Sequence, residues 1–69
     1  MKILFSERLQ QLRKEHGLKQ AQLAEILQTT QRRISYLESE KIEPDLMLLW
    51  KLSDYFDVSI DYLVGKEEY

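Results

Sequence analysis

Residues 20–38 read QAQLAEILQTTQRRISYLE, and the spacing within them decides the fold. Leu23, Ala24 and Leu27 share one side of a helix, and Ile34 and Leu37 share one side of another. Only Gln28, Thr29 and Thr30 lie between the two stripes. So short a link turns the chain through a tight corner and leaves no room for a long hairpin. Ala24 falls where the two helices cross, and a bulky side chain there would push them apart. Thr30 is placed to cap the second helix of the pair.

The flanking segments read as three further helices. SERLQQLRKEHG has Ser6 as its expected N-cap, Glu7 in its first turn, an apolar face of Phe5, Leu9 and Leu12, and Gly17 as a left-handed stop. His16 lies beside that stop, where a helix C-terminus favours a cation. The helix at residues 20–27 begins after Lys19, a poor capping residue. DLMLLWKLSDYF follows Pro44, with Asp45 as cap and Leu46, Leu49, Leu52 and Phe56 expected in the core. Leu48, Trp50 and Tyr55 widen its apolar arc; Trp50 reads as core. SIDYLV is capped by Ser59 and ended at Gly65. No segment alternates with period two for long enough to make a strand. The expectation is one all-α domain spanning residues 1–69, a compact bundle of five helices with the corner at residues 20–38.

Composition excludes several function classes. There are 69 residues and no cysteine, so no disulfide framework, thiolate metal site or thiol nucleophile is expected. His16 is the single histidine and cannot hold a metal alone. No cofactor is implied. Asp54, Asp57 and Asp61 read as caps and solvated faces; no cleft or nucleophile accompanies them, so no catalytic residue is expected. The longest apolar run, residues 46–50, is far too short to span a membrane. Arg8 follows too closely on residues 3–5 for a signal-peptide core. Tyr55, Tyr62 and Tyr69 recur at heptad spacing, but the break at residues 57–59 prevents one continuous seam.

Charge is divided along the chain. Formal net charge is −2, yet residues 1–37 carry seven Lys/Arg and three Asp/Glu, a balance of +4. Residues 38–69 carry three Lys/Arg and nine Asp/Glu, a balance of −6. A basic half facing a polyanion, with an acidic back, fits this division.

Two helices joined by a three-residue turn match the helix-turn-helix description. Projected at about 100° per residue, the second helix turns Ile34 and Leu37 inward. Arg32, Ser35, Tyr36 and Ser39 turn outward, with Gln31 and Arg33 on the flanks. The N-terminal residues of such a helix reach base edges in the major groove. Glutamine pairs with adenine and arginine with guanine in bidentate fashion. The threonine hydroxyls and the open N–H groups of the helix start suit phosphate.

LRKEHGLKQAQLAEIL, TTQRRISYLE, KIEP and LLWKLSDYFDVSIDYLVG together resemble the lambda repressor/Cro-like family of bacterial and phage regulators, over nearly the whole chain. The resemblance implies sequence-specific binding to double-stranded DNA by a homodimer on an inverted repeat, and repression of transcription. Base readout would fall to Gln20, Gln31, Arg32 and Tyr36. Backbone contacts would fall to Lys19, Thr30, Arg33, Ser35 and Lys41. Arg13 and Glu38 match an ion pair that ties the first helix to the third. Leu48, Tyr55, Ile60, Tyr62 and Val64 would form the dimer surface. An antitoxin, a restriction-system controller or a protein-interaction module could use the same scaffold, with a toxin or antirepressor as partner. A cytoplasmic, nucleoid-associated protein of bacterial or phage origin is implied. Two positions depart from the family pattern. Gln28 stands where the corner usually has glycine, and SEKIEP replaces a loop usually rich in glycine and basic residues.

Overall fold

The computed structural model describes residues 3–66; Lys2, Glu67, Glu68 and Tyr69, which entered the charge balance or the tyrosine spacing, lie outside them. Five α-helices follow in order: α1 Phe5–Glu15, α2 Gln20–Ile26, α3 Gln31–Glu38, α4 Leu46–Phe56 and α5 Ile60–Val64. There is no strand among the described residues. Helix α3 packs against both α2 and α1, while α5 packs against α1 and α4. A single core joins Phe5, Leu9 and Leu12 of α1 to Leu23, Ala24, Leu27, Ile34 and Leu37 of the corner and to Leu63 of α5.

Local chemistry sets the helix starts. The side chains of Thr30, Asp45 and Ser59 each accept a hydrogen bond from the backbone N–H three residues on, at Arg33, Leu48 and Tyr62. Lys19 has no side-chain acceptor, and α2 solves the problem from inside. The Gln22 side chain reaches back and its Oε1 accepts from Lys19 N–H at 2.8 Å.

All five helices end in the same way. The residue after the last turn is left-handed: Gly17, Gln28, Glu40, Asp57 and Gly65 have φ of 66°, 58°, 64°, 55° and 94°. The next N–H then bonds back five residues, as Leu18 to Arg13, Thr29 to Ala24, Lys41 to Tyr36, Val58 to Ser53 and Lys66 to Asp61. This is the Schellman closure, which satisfies the last carbonyls of each helix. A left-handed conformation at a residue with a side chain costs about 1–2 kcal/mol, and three of the five stops bear that cost. Gly65 is constrained twice over, because a Cβ there would lie 2.9 Å from the Leu4 side chain. Leu4 N–H donates to the Val64 carbonyl at 3.2 Å, so the residue before α1 is laced to α5.

Three expectations are corrected. Ser6 does not cap α1: Leu4 stands at the N-cap and the helix starts two residues earlier than a Ser6 cap would set it, so that Phe5 enters it and is buried. The Ser6 hydroxyl instead donates to the Leu37 carbonyl at 2.6 Å, serving a late carbonyl of α3. Leu46 is not core; it is 84% exposed, and Leu48 is buried at 3% in its place. Exchanging the two turns the buried arc of α4 by roughly 40°. Leu48 consequently faces the corner, sharing a cleft with Leu27, Thr29 and Arg33, and is buried within the protomer and not on the exposed surface expected for a dimer. Trp50 is likewise not core, being 68% exposed. Leu48, Leu49, Leu52 and Phe56 already fill the inner side of α4, which leaves no inward direction for the indole.

Candidate nucleic-acid interface

The corner is rigidly framed before any side chain faces outward. Ile34 and Leu37 of α3 and Leu23 of α2 are fully buried, with Ala24 and Leu27 beside them. The carboxylate of Glu38, at the end of α3, is 3% exposed and accepts three hydrogen bonds. Two come from Arg13, through Nε at 2.6 Å and Nη2 at 3.0 Å. The third comes from Gln20 Nε2 at 3.1 Å. Arg13 Nη1 also donates to the Leu18 carbonyl at 2.9 Å. The hydrogen bond to Glu38 and its charge raise the guanidinium above its ordinary pKa. One carboxylate therefore ties together α1, the start of α2 and the end of α3. Replacing Glu38 with Ala would leave the half-buried Arg13 without its counter-charge and is expected to cost about 1–3 kcal/mol in denaturant unfolding.

On the outer side, Gln31 and Arg32 are exposed next to each other at the start of α3. Arg32 Cζ lies 5.7 Å from the centroid of the Tyr36 ring, and Lys41 Nζ lies 5.3 Å from the same ring. Lys19 is exposed at the start of α2, and Ser35 and Tyr36 are half-buried on α3. Lys19, Gln20, Gln31 and Arg32 thus mark the starts of two adjoining helices, where backbone N–H groups point outward and favour an anion.

The structure separates the expected contacts by what already holds them. Gln20 spends one amide hydrogen on Glu38 and keeps its carbonyl oxygen and second hydrogen. Thr30 accepts from Arg33 N–H at 3.1 Å as cap, and its hydroxyl hydrogen remains a donor. Arg33 turns toward α4, and its Nη2 lies 3.1 Å from Asp45 Oδ2. Asp45 is held below the usual carboxylate range, first by the Leu48 backbone N–H and then by Arg33. Arg33 and Asp45 are twelve residues apart, a separation at which no periodicity could pair them. The aromatic contact of Arg32 was accessible to sequence reasoning, because residues four apart on a helix are neighbours.

The surface expected for a dimer is only partly exposed. Tyr55 and Ile60 stand out at 44% and 42% exposure. Tyr62 and Val64 pack against the core. The Tyr62 ring carries the Arg8 guanidinium at 4.2 Å, and the same arginine donates to the Tyr62 carbonyl at 2.9 Å. His16 ends α1 as expected, with Nδ1 2.9 Å from the Leu12 carbonyl and its ring edge-on to Phe56 at 4.7 Å.

A family model described as helix-turn-helix matches residues 9–63. The HTH-type transcriptional activator BcrR of Enterococcus faecalis is 45% identical over 64 residues, 93% of this chain and 31% of BcrR. The crystal structure of a transcriptional regulator from Listeria innocua superposes with a TM-score of 0.89 at 45% identity, over 94% of this chain and 61% of the other. The P22 c2 repressor protein, solved in complex with synthetic operator 9T, superposes with a TM-score of 0.83 at 30% identity, over 91% of this chain and 96% of the repressor. The chain spans 31% to 56% of the length of the curated relatives it matches. The match over residues 9–63, and the superposition on the P22 c2 repressor at 30% identity, place the chain in the lambda repressor/Cro-like helix-turn-helix family.

Proposed function

We propose that this domain binds double-stranded DNA sequence-specifically, with α3 in the major groove, and that it regulates transcription. One observation carries the reading: the helix whose inner face is locked by Ile34, Leu37 and Glu38 shows Gln31 and Arg32 exposed at its start. A base reader must be held this firmly, because a loose helix would spend binding energy on ordering itself. Gln31 and Arg32 read base edges. Lys19, Thr30, Ser35 and Lys41 contact the backbone. Gln20 offers its carbonyl oxygen and remaining hydrogen at the edge of the site, and Arg33 steadies α4 more than it reaches DNA.

A homodimer through Tyr55 and Ile60 would set two copies of α3 about 34 Å apart on one face of an inverted repeat. Occlusion of a promoter by that dimer makes the protein a repressor. P22 c2, a repressor solved with an operator, supports this direction, while BcrR is named an activator. An antitoxin or controller protein would make the same DNA contacts. The exposed Leu46, Met47 and Trp50 on α4 favour, as a second reading, a protein-interaction module on this scaffold.

Selection from random duplexes, followed by binding at two salt concentrations, tests the proposal. The expected result is a two-fold symmetric motif whose affinity falls steeply as salt rises. Failure to enrich any motif, with equal affinity for all duplexes, would contradict it and favour the protein-interaction reading. Sedimentation of the chain as a monomer at high micromolar concentration, with and without the selected duplex, would remove the dimer.

A further inference from the structure

Tyr36 sits at the centre of a cluster that simple readout by α3 does not account for. Its ring is half-buried and lies within cation–π reach of two cations, Arg32 at 5.7 Å and Lys41 at 5.3 Å. The two arrive by different routes. Arg32 is one helical turn back on α3, the spacing at which side chains meet. Lys41 lies beyond the helix and is brought round by the left-handed Glu40, at φ 64°. Its own N–H donates to the Tyr36 carbonyl at 2.9 Å. Lys41 is thus held to one residue twice, through the backbone and through its ammonium. No ion pair joins it to Glu40 or Glu43, its acidic neighbours, among the described residues.

A ring in contact with two cations is already committed, and it is poorly placed to stack on a base or a thymine methyl. It does restrict two long side chains before DNA arrives, which lowers the ordering that binding must supply. The contacts leave both cationic groups charged and able to donate. Of these, Arg32 has the planar fork that matches a guanine edge, and Lys41 has the compact charge that suits a phosphate.

We propose that Tyr36 is a positioning residue and not a base reader: its ring holds Arg32 toward a guanine edge and Lys41 toward the adjoining phosphate. This rests on the reading of α3 as the DNA-contacting helix. It links specificity and anchoring through one side chain, so the two are lost together when the ring is removed.

The test uses Tyr36→Phe, Tyr36→Leu, Arg32→Ala and the Tyr36→Leu/Arg32→Ala double variant. Each is titrated with the duplex selected by the wild-type protein and with single-base substitutions of it. Tyr36→Phe keeps the ring and is expected to bind within about twofold of wild type. Tyr36→Leu is expected to weaken binding about five- to twentyfold, the sum of two exposed cation–π contacts. It should also lose preference at the base pair that Arg32→Ala relaxes. The double variant should lose less than the product of the single losses. A loss in Tyr36→Phe equal to that in Tyr36→Leu would assign the hydroxyl as a reader and overturn the proposal, as would multiplicative losses. In the absence of DNA, the side-chain protons of Arg32 and Lys41 should show upfield ring-current shifts in wild type and Tyr36→Phe, and not in Tyr36→Leu. Their absence from wild type would overturn the platform whatever the variants bind. Equal affinity of wild type for selected and scrambled duplexes is a different result, and it would end the DNA reading itself.

Discussion

Behind Ile34 and Leu37, helix α3 shows Gln31, Arg32 and a half-buried Tyr36; behind Leu48, Leu49, Leu52 and Phe56, helix α4 shows Leu46, Met47 and Trp50. Both helices bury one stripe in the same core and begin with a side-chain cap. They differ in the contrast between their faces. On α3 the polar residues leave one way for the helix to lie, and the outer face is chemically specific. On α4 apolar residues run most of the way round, so several rotations satisfy the pattern and the choice falls to its neighbours. A helix that is apolar most of the way round belongs in a larger core or against a partner, and a bundle of five short helices cannot bury both sides of it.

Substitutions can break or sharpen this contrast. Leu48→Ala should have the largest effect, about 2–5 kcal/mol by denaturant unfolding, because it opens a cavity beside the corner. A loss below about 0.5 kcal/mol would mean that α4 is rotated as its sequence pattern first indicates. Arg32→Ala should cost about 1–3 kcal/mol on the selected duplex and relax preference at one base pair, with the unfolding curve unchanged. Gln28→Gly relieves a left-handed side chain at the corner and should stabilise the domain by about 0.5–1 kcal/mol, after the added freedom of the unfolded chain is offset. A thermal midpoint raised by a few degrees would show it. Trp50→Ser should change monomer stability by less than about 0.5 kcal/mol, as expected of an exposed position; a drop of several kcal/mol would return the indole to the core.

The same contrast explains which features were legible in the sequence. The corner and core of residues 20–38 could be read because apolar and polar residues alternate there at helical period, and the caps of α3, α4 and α5 because Thr30, Asp45 and Ser59 carry a short acceptor. The Arg13–Glu38 clamp came from resemblance alone; nothing in its spacing pairs two residues twenty-five apart. The register of α4 was not legible, because Leu46 and Leu48 are chemically equivalent and only the position of Leu27 and Arg33 distinguishes them. Nor were the left-handed stops at Glu40 and Asp57, where the backbone geometry arises from the closure of the helix and not from glycine. In the candidate site, Gln31 and Arg32 were legible as exposed polar residues at a helix start. That Gln20 and Arg33 are partly committed, to Glu38 and Asp45, required the folded chain.

On the proposed reading DNA meets the outer face of α3, and not that of α4. Titration of the selected duplex into isotope-labelled protein tests it directly, by following the amide resonances. The largest shifts are predicted at Thr30, Gln31 and Arg32, with smaller ones at Lys19, Gln20 and Lys41. Shifts concentrated at Leu46, Met47 and Trp50, with α3 unmoved, would place DNA on α4 and contradict readout by α3.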